Sequence, residues 1–224
     1  MSAVHPSLLH NPAWRELGLA DLDAIEALHR SSIGAAGPDV VKPENRDFFA
    51  GLLKGRGRLV GLFEQELVAY GVLQHDILAN DDPREQLGYG ASTSIAKLAG
   101  AAVASTHRGQ GLQRALIRQR ITMASEHDVL FSTAAPANVV SWTNLLAEGF
   151  ETRAIIHRYG GLQRYLMLRE RVPATLDDMR ITVPAANLER QADLLTAGWR
   201  GVATVEPLTP LCGIVFARPT GVVA

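Results

Sequence analysis

At 224 residues, 47% apolar and 20% charged, the chain is long enough for one good-sized core and has the composition of a soluble globular protein. A net charge of −1 gives no broad positive field for nucleic acid or an anionic membrane, and apolar stretches such as 98–104 fall far short of the roughly 20 residues that span a bilayer. The lone cysteine, Cys212, reads as a small buried side chain that cannot form an intrachain disulfide; residues 1–11 lack a basic segment followed by an apolar one, and the expected location is the cytoplasm.

In chain order, residues 13–19 are predicted to form a first strand. Residues 20–30 read as a helix, with Leu22, Ile25, Ala27 and Leu28 near a period of 3.6 and Asp21 and Asp23 at its positive end. A Gly/Pro loop is expected at 31–43. A second helix at 43–54 carries Phe48, Phe49, Leu52 and Leu53 on one face and ends at Gly55 and Gly57. Segments 58–63 and 67–74 form a hairpin, and 75–90 is a polar loop. A long strand at 92–105 leads through a glycine turn into a helix at 111–126. A short buried strand at 129–134, a helix at 138–149 with Gly149 just past its end, and a hairpin of 151–157 with 162–168 complete the unit. The fold class is α/β, a mixed sheet flanked by helices.

The glycine turn carries the chemistry. In Val103-Ala-Ser-Thr-His-Arg108-Gly-Gln-Gly111-Leu-Gln-Arg-Ala-Leu-Ile117 a strand stops at small and polar residues, two glycines follow, and apolar residues then recur at helical spacing. Free N–H groups at a helix N-terminus attract anions, and glycine lets a phosphate reach them. The bland alternative is an ordinary strand-to-helix turn using glycine for its positive φ. Neither competing phosphate signature is present: Arg114 occupies the third-glycine position of G-x-G-x-x-G, and no P-loop lysine follows.

Arg108-Gly-Gln-Gly111-Leu-Gln113 resembles the R/Q-x-x-G-x-G/A signature of the GCN5-related N-acetyltransferases (GNAT), with Gln113 where Gly or Ala is usual. Asn138, Ser141, Gly149 and Phe150 resemble that family's second block, and the element order matches over about residues 13–170. The resemblance implies an N-acetyltransferase that takes acetyl-CoA as co-substrate and needs no metal. It implies that Ala101, Ala102 and Val103 bond pantetheine, and that the Val103 N–H polarises the thioester carbonyl. The amides of Gly109, Gln110, Gly111, Leu112, Gln113 and Arg114 would hold the pyrophosphate, with charge added by Arg108. Asn138 would either reach the pantetheine arm or cap its helix, and Ser141 would touch phosphate or face solvent.

Two departures stand out. Where the family commonly has Tyr as the acid for the departing thiolate, this chain has Leu145; Tyr159 and Tyr165 are candidate replacements, and a thiol pKa of ~8.5 also lets the thiolate leave unassisted. The long strand carries Lys97 and no carboxylate, and Thr133 stands where some relatives have Glu. The base candidate is therefore His75, oriented by Asp76, ahead of His107 and His157. The acceptor is a small-molecule or peptide amine. Its pocket would come from the early helices, the loop after residue 75 and the last hairpin, with Asp39, Asp76, Asp81, Asp82 and Glu85 against Lys42, Arg84 and Arg158. A non-catalytic acyl-CoA sensor, and a transferase using another acyl donor such as aminoacyl-tRNA, are the alternative functions.

Residues 171–224 read as a β-α-β-β extension. Ala137, Asn138, Leu145, Leu146 and Gly149 recur 49 residues later as Ala186, Asn187, Leu194, Leu195 and Gly198, which is either a half-repeat or generic helix-glycine-strand grammar. No glycine turn precedes the second copy, so no second coenzyme site is expected. Its strand edges need covering, by the main sheet or by a second subunit in a homodimer.

Overall fold

The computed structural model describes residues 13–33, 40 and 43–220. Most of the expected loop at 31–43, the segment 1–11, and the pocket candidates Asp39 and Lys42 lie outside the described residues.

Strand β1 (Ala13–Glu16) precedes helix α1 (Leu22–Ile33), whose Leu22, Ile25 and Leu28 are buried as their spacing predicts. Helix α2 (Arg46–Gly51) starts three residues later than predicted for a local reason: the Asn45 side chain accepts from the Phe48 N–H at 2.9 Å. Strands β2 (Gly57–Phe63), β3 (Leu67–Gln74) and β4 (Ile95–Val103) follow as an antiparallel meander. Helix α3 (Leu112–Met123) then crosses over to β5 (Val129–Ala134), the one strand that runs parallel to its neighbour. Next come α4 (Val139–Ala147), β6 (Glu151–Arg158) and β7 (Leu162–Glu170), and finally β8 (Ile181–Pro184), α5 (Leu188–Thr196), β9 (Arg200–Val205) and β10 (Gly213–Ala217).

Among the described residues all ten strands join one sheet in the order β1-β2-β3-β4-β5-β7-β6-β9-β10-β8. Strand β3 is buried along its whole length, which requires cover on both faces. One face packs Ile25 and Phe49 of the first two helices, with Leu52 just past the second, against Tyr70, Val72 and Ala102. On this side His29 is wedged between elements: its Nδ1 lies 2.8 Å from the Tyr70 hydroxyl, and its Nε2 accepts the Glu44 N–H at 2.9 Å. Burial lowers the His29 pKa, in keeping with a neutral ring that accepts at Nε2. The other face carries α3, α4 and α5 over a single core running from Leu73 and Leu98 to Trp199, Ile214 and Phe216.

The C-terminal unit repeats the preceding one at ladder level. Pairs Ser132↔Met167, Thr133↔Leu166 and Ala134↔Tyr165 recur 49 residues on as Ile181↔Phe216, Thr182↔Val215 and Val183↔Ile214. The bulge that skips Arg153 between β6 and β7 recurs at Val202 between β9 and β10. Asn138 and Asn187 cap their helices with nearly the same backbone angles (φ −89, ψ 68 and φ −91, ψ 70). Even one side-chain contact is echoed: Trp142 Nε1 donates to Pro136 O at 3.1 Å, and Gln191 Nε2 to Ala185 O at 3.1 Å. The generic-grammar alternative does not account for a shared bulge.

The two copies meet edge to edge, β6 against β9, at the pair Thr152↔Gly201. These positions are themselves equivalent, so the local two-fold axis passes between them. A Cβ on Gly201 would sit 2.8 Å from Ile214 Cγ2 and 3.0 Å from Thr152 Cβ, so the seam closes only over glycine. Beside it the equivalent residues Glu151 and Arg200 pair with each other at 3.0 Å, and Arg200 also reaches Glu170 at 3.2 Å. Burial alone would raise the Glu170 carboxyl, but the Tyr89 hydroxyl and the charges of Arg153 and Arg200 outweigh it and hold it below its usual range.

The seam gives a stability prediction. Arg200→Glu gathers three half-buried carboxylates and should cost ~3–5 kcal/mol in urea unfolding. Because 151 and 200 are equivalent positions, the exchange Glu151→Arg with Arg200→Glu should recover at least about half of that loss. A double variant no more stable than the single one would contradict the symmetric seam.

Candidate functional site

The site is a gap between two strands. Strands β4 and β5 pair at Ile95↔Val129, Ala96↔Leu130 and Lys97↔Phe131, and β4 then runs on to Val103 without a partner on that side. The Ser132 hydroxyl closes the crotch by donating to Leu98 O at 2.8 Å. A shift in the β3–β4 register between Gly71 and Leu73 bends β4 away at this level. The buried guanidinium of Arg120 holds the bend, donating to Val72 O and Ala99 O at 3.3 Å and to Leu116 O at 3.0 Å. Burial pulls its pKa down to about 10, which still leaves it charged at neutral pH.

Beyond the bend the backbone donors divide by parity. The Ala104 N–H donates to Val68 O at 2.8 Å, and Tyr70 pairs with Ala102. In an antiparallel ladder alternate residues turn their N–H and C=O outward, so Ala101 and Val103 direct theirs into the gap. Gly100 and Ala101 are exposed there.

At the end of β4 the chain reaches Gly109 (φ 79) and Gly111 (φ 76), and Gly111 is the N-cap of α3 with no side-chain cap. A left-handed φ is costly for any residue with a Cβ, and the missing cap leaves the first amides of α3 (Leu112, Gln113 and Arg114) without a side-chain acceptor. The Arg108 guanidinium turns toward α1 and donates to Ser32 O at 3.1 Å. Gln110 reaches back to Thr106 O at 3.5 Å. The unusual Gln113 turns its side chain to α4, where its Oε1 accepts from Asn144 Nδ2 at 3.0 Å, while its backbone stays in the turn. Arg114 and Arg118 bind Glu148, the C-cap of α4, at 2.7 and 2.8 Å, which locks the two helices side by side.

At the start of α4, Asn138 Oδ1 accepts the Ser141 N–H at 3.2 Å, so its oxygen is spent as a cap, and Ser141 is half-buried. Leu145 is 3% exposed within the main core. Tyr165 is fully buried and donates to Gln191 Oε1 at 2.7 Å, so its hydroxyl is committed to α5. Tyr159 is partly exposed in the β6–β7 turn.

The structure does not bring His75 to Val103. Val103 pairs with Ala69, six residues from His75, a separation of roughly 20 Å along the strand. The His75 ring stacks on His127 instead, with centroids 5.1 Å apart, and burial followed by the His127 charge lowers its pKa. Asp76 does not orient it, because that carboxylate binds Arg56 Nε at 2.9 Å. The base expected from the sequence is corrected on these two grounds.

A charged cluster that the sequence reading did not assemble lies at the crotch of the gap, where Lys97 is the last residue of β4 paired to β5. Lys97 alternates with Ala96 and Leu98 and so faces away from α3, onto Phe131. Its buried ammonium binds the Asp81 carboxylate and lies 3.4 Å from the Tyr159 hydroxyl. Burial alone would lower its pKa, but Tyr159 and Asp81 outweigh that and raise it. A lysine in an apolar strand was the available signal, since a buried ammonium demands an acidic partner. Among the described residues no group of three or more His, Cys, Asp or Glu could hold a metal, and no helix is long and apolar enough to cross a membrane.

No family model and no curated protein matches the chain. Solved structures do match. Among them are the ribosomal-protein-S18-alanine N-acetyltransferase of Escherichia coli (18% identity, 75% of this chain and 99% of that one, TM-score 0.52) and Arabidopsis thaliana NAA60 in complex with acetyl-CoA (17%, 71% and 99%, TM-score 0.59). A GNAT-superfamily phosphinothricin acetyltransferase of Sinorhizobium meliloti in complex with acetyl-CoA also matches (17%, 71% and 88%, TM-score 0.53). The chain has the GNAT fold.

The burial of Leu145 sets an expectation for that position. Leu145→Tyr should overpack the core and cost ~1–3 kcal/mol in thermal or denaturant unfolding. An unchanged midpoint would show that the position has room for a phenol.

Proposed function

We propose that the protein is an N-acetyltransferase using acetyl-CoA as co-substrate. One observation carries the reading: β4 and β5 pair for three residues and then part, leaving the outward amides of Ala101 and Val103 on one wall and the uncapped α3 amides at the mouth. Uncommitted donors in a line suit an elongated ligand with carbonyls along it and phosphates at one end. The neighbouring folds solved with acetyl-CoA support that choice of ligand.

Acetyl-CoA supplies an acetyl thioester: the acceptor nitrogen forms the C–N bond, the C–S bond breaks, and the proton lost by nitrogen ends on the coenzyme sulfur. The chain's own contribution is positioning and charge stabilisation. Ala101 and Val103 act through backbone N–H groups that the Arg120-held bend keeps turned outward. The amides from Gly109 to Arg114 take the phosphates. Asn138 retains its side-chain NH₂ for the arm of the ligand while its oxygen caps α4. With Leu145 sealed in the core and Tyr165 spent on Gln191, the thiolate departs without an acid from α4, as a good leaving group can. His75 has no part in the transfer.

Gly111→Glu tests the assignment. It places a Cβ at φ 76 and a carboxylate where the phosphates would meet the backbone. Acetyl-CoA affinity measured by titration calorimetry on the folded variant should fall by at least ~30-fold, the worth of one charge-assisted hydrogen bond. Equal affinities in the two proteins would remove the pyrophosphate site from the α3 turn.

A further inference from the structure

The half-repeat supplies an internal comparison for the cluster at the crotch. Both copies bend the hairpin at the same place on a residue of left-handed φ, Tyr159 (φ 55) after β6 and Leu208 (φ 66) after β9. The bend therefore belongs to the hairpin, and the copies differ in what it carries. At the shared offset Arg158 is replaced by Pro207, Tyr159 by Leu208 and Arg164 by Gly213. At these positions the phenol and the guanidiniums belong to the copy that has a gap.

The phenol stands over the last β4–β5 pair. The Lys97 ammonium lies 5.9 Å from the ring centroid of Phe131, its partner in that pair, and donates to the Tyr159 oxygen at 3.4 Å. The Arg164 guanidinium is 5.6 Å from the Tyr159 ring centroid and steadies the ring from β7. Tyr159 is 37% exposed and Lys97 only 6%, so the phenol and not the ammonium is presented to a ligand. Burying a lysine is costly, and Asp81 from the loop after β3 is needed to hold its charge. The result is a fixed cation behind one phenol oxygen. The reactants meet at this level. A ligand running from the α3 turn past Val103 and Ala101 ends at the crotch, which Ser132 closes against Leu98 O. Helices α3 and α4 pack over one face of the sheet and Lys97 faces the other, so an acceptor amine meets the thioester on the side of Tyr159.

We propose that the Tyr159 hydroxyl carries the proton of the acetyl transfer, acting as acid toward the coenzyme sulfur, with Lys97 as its positioning residue. The proposal rests on the acetyltransferase reading and adds a residue to that same site. As the amine nitrogen bonds the carbonyl carbon and the C–S bond breaks, the phenol proton passes to the sulfur. The phenolate, its charge held by the Lys97 ammonium, takes back the proton that the nitrogen must lose. Tyr159 ends neutral, and the net change is one proton moved from nitrogen to sulfur. An acid on the hairpin leaves position 145 of α4 to the core.

The test measures coenzyme A release at saturating acetyl-CoA with ethylamine, glycine amide, spermidine and a short peptide with a free N-terminus as acceptors. Calorimetry with acetyl-CoA on each variant checks folding and the coenzyme site separately. Tyr159→Phe should lower kcat about 100-fold, while the KM of the amine and the affinity for acetyl-CoA stay within about twofold. Tyr159→Leu, the residue of the second copy, should lose as much. Lys97→Gln combined with Asp81→Asn removes both buried charges together and should reproduce most of that loss. Adding Tyr159→Phe to this pair should cost little more, because the ammonium and the phenol act as a unit. A Tyr159→Phe enzyme within about threefold of the parent kcat, a loss seen only in KM, or a full second loss in the triple variant would each overturn the proposal. A parent protein that binds acetyl-CoA but releases no coenzyme A with any of these amines would overturn the acetyltransferase reading, and this proposal with it.

Discussion

Everything at the site depends on β4 leaving its parallel partner after three pairs. A continuous β4–β5 ladder would consume the outward amides of Ala101 and Val103 in sheet hydrogen bonds and leave no gap. What prevents this is a register shift opposite Gly71, secured by Arg120, whose charge is buried and, among the described residues, bound only by backbone carbonyls. Burying an arginine without an acid is expensive, and the position returns that cost as a bend of fixed place and direction. The outward amides, the uncapped α3 turn and the crotch at Lys97 all take their positions from it.

The C-terminal unit does a different job with the same plan. It reproduces the β5-α4-β6-β7 ladder, bulge and caps, yet among the described residues no strand stands where β4 would be, so no such gap is formed there. Its equivalent of β6 lies against β6, where a second copy of the unit could otherwise pair. Glu151 facing Arg200 shows how the copies have diverged: in a symmetric pairing each would meet its own kind. The unit also holds the wall of the gap indirectly. Gln191 binds Tyr165, which pairs with Ala134 at the end of β5, and Trp142 packs edge-on to Tyr165.

Periodicity and glycine placement made the element order readable, because hydrophobic spacing and special φ values are written in consecutive residues. Leu22, Ile25 and Leu28 are buried as their spacing predicts, and Gly55, Gly111 and Gly149 stand where the chain adopts positive φ. The half-repeat showed in the sequence as five identities, and ladder pairs recur in the structure at the same 49-residue offset. Side-chain partnerships across the fold were not readable. His75 followed by Asp76 suggests a base and its orienter, but strand alternation and Arg56 separate them. Lys97 and Asp81, 16 residues apart, meet only because the loop folds back over β4. Arg158 comes near Asp81 by virtue of the β6–β7 register, which no local pattern encodes. Asn144 explains the Gln113 departure, and that contact needed α3 and α4 side by side.

The central claim is that one gap, bounded by β4 and the α3 turn, receives acetyl-CoA. Its most direct measurement is a ¹H–¹⁵N NMR titration of the full chain with acetyl-CoA, followed residue by residue. The amides of Ala101 and Val103 should shift together with those from Gly109 to Arg114, at one common saturation curve, while the equivalent helix start at Asn187 to Arg190 stays unmoved. Shifts confined to the tail, or a response at the α3 turn with none at Ala101 and Val103, would contradict the account.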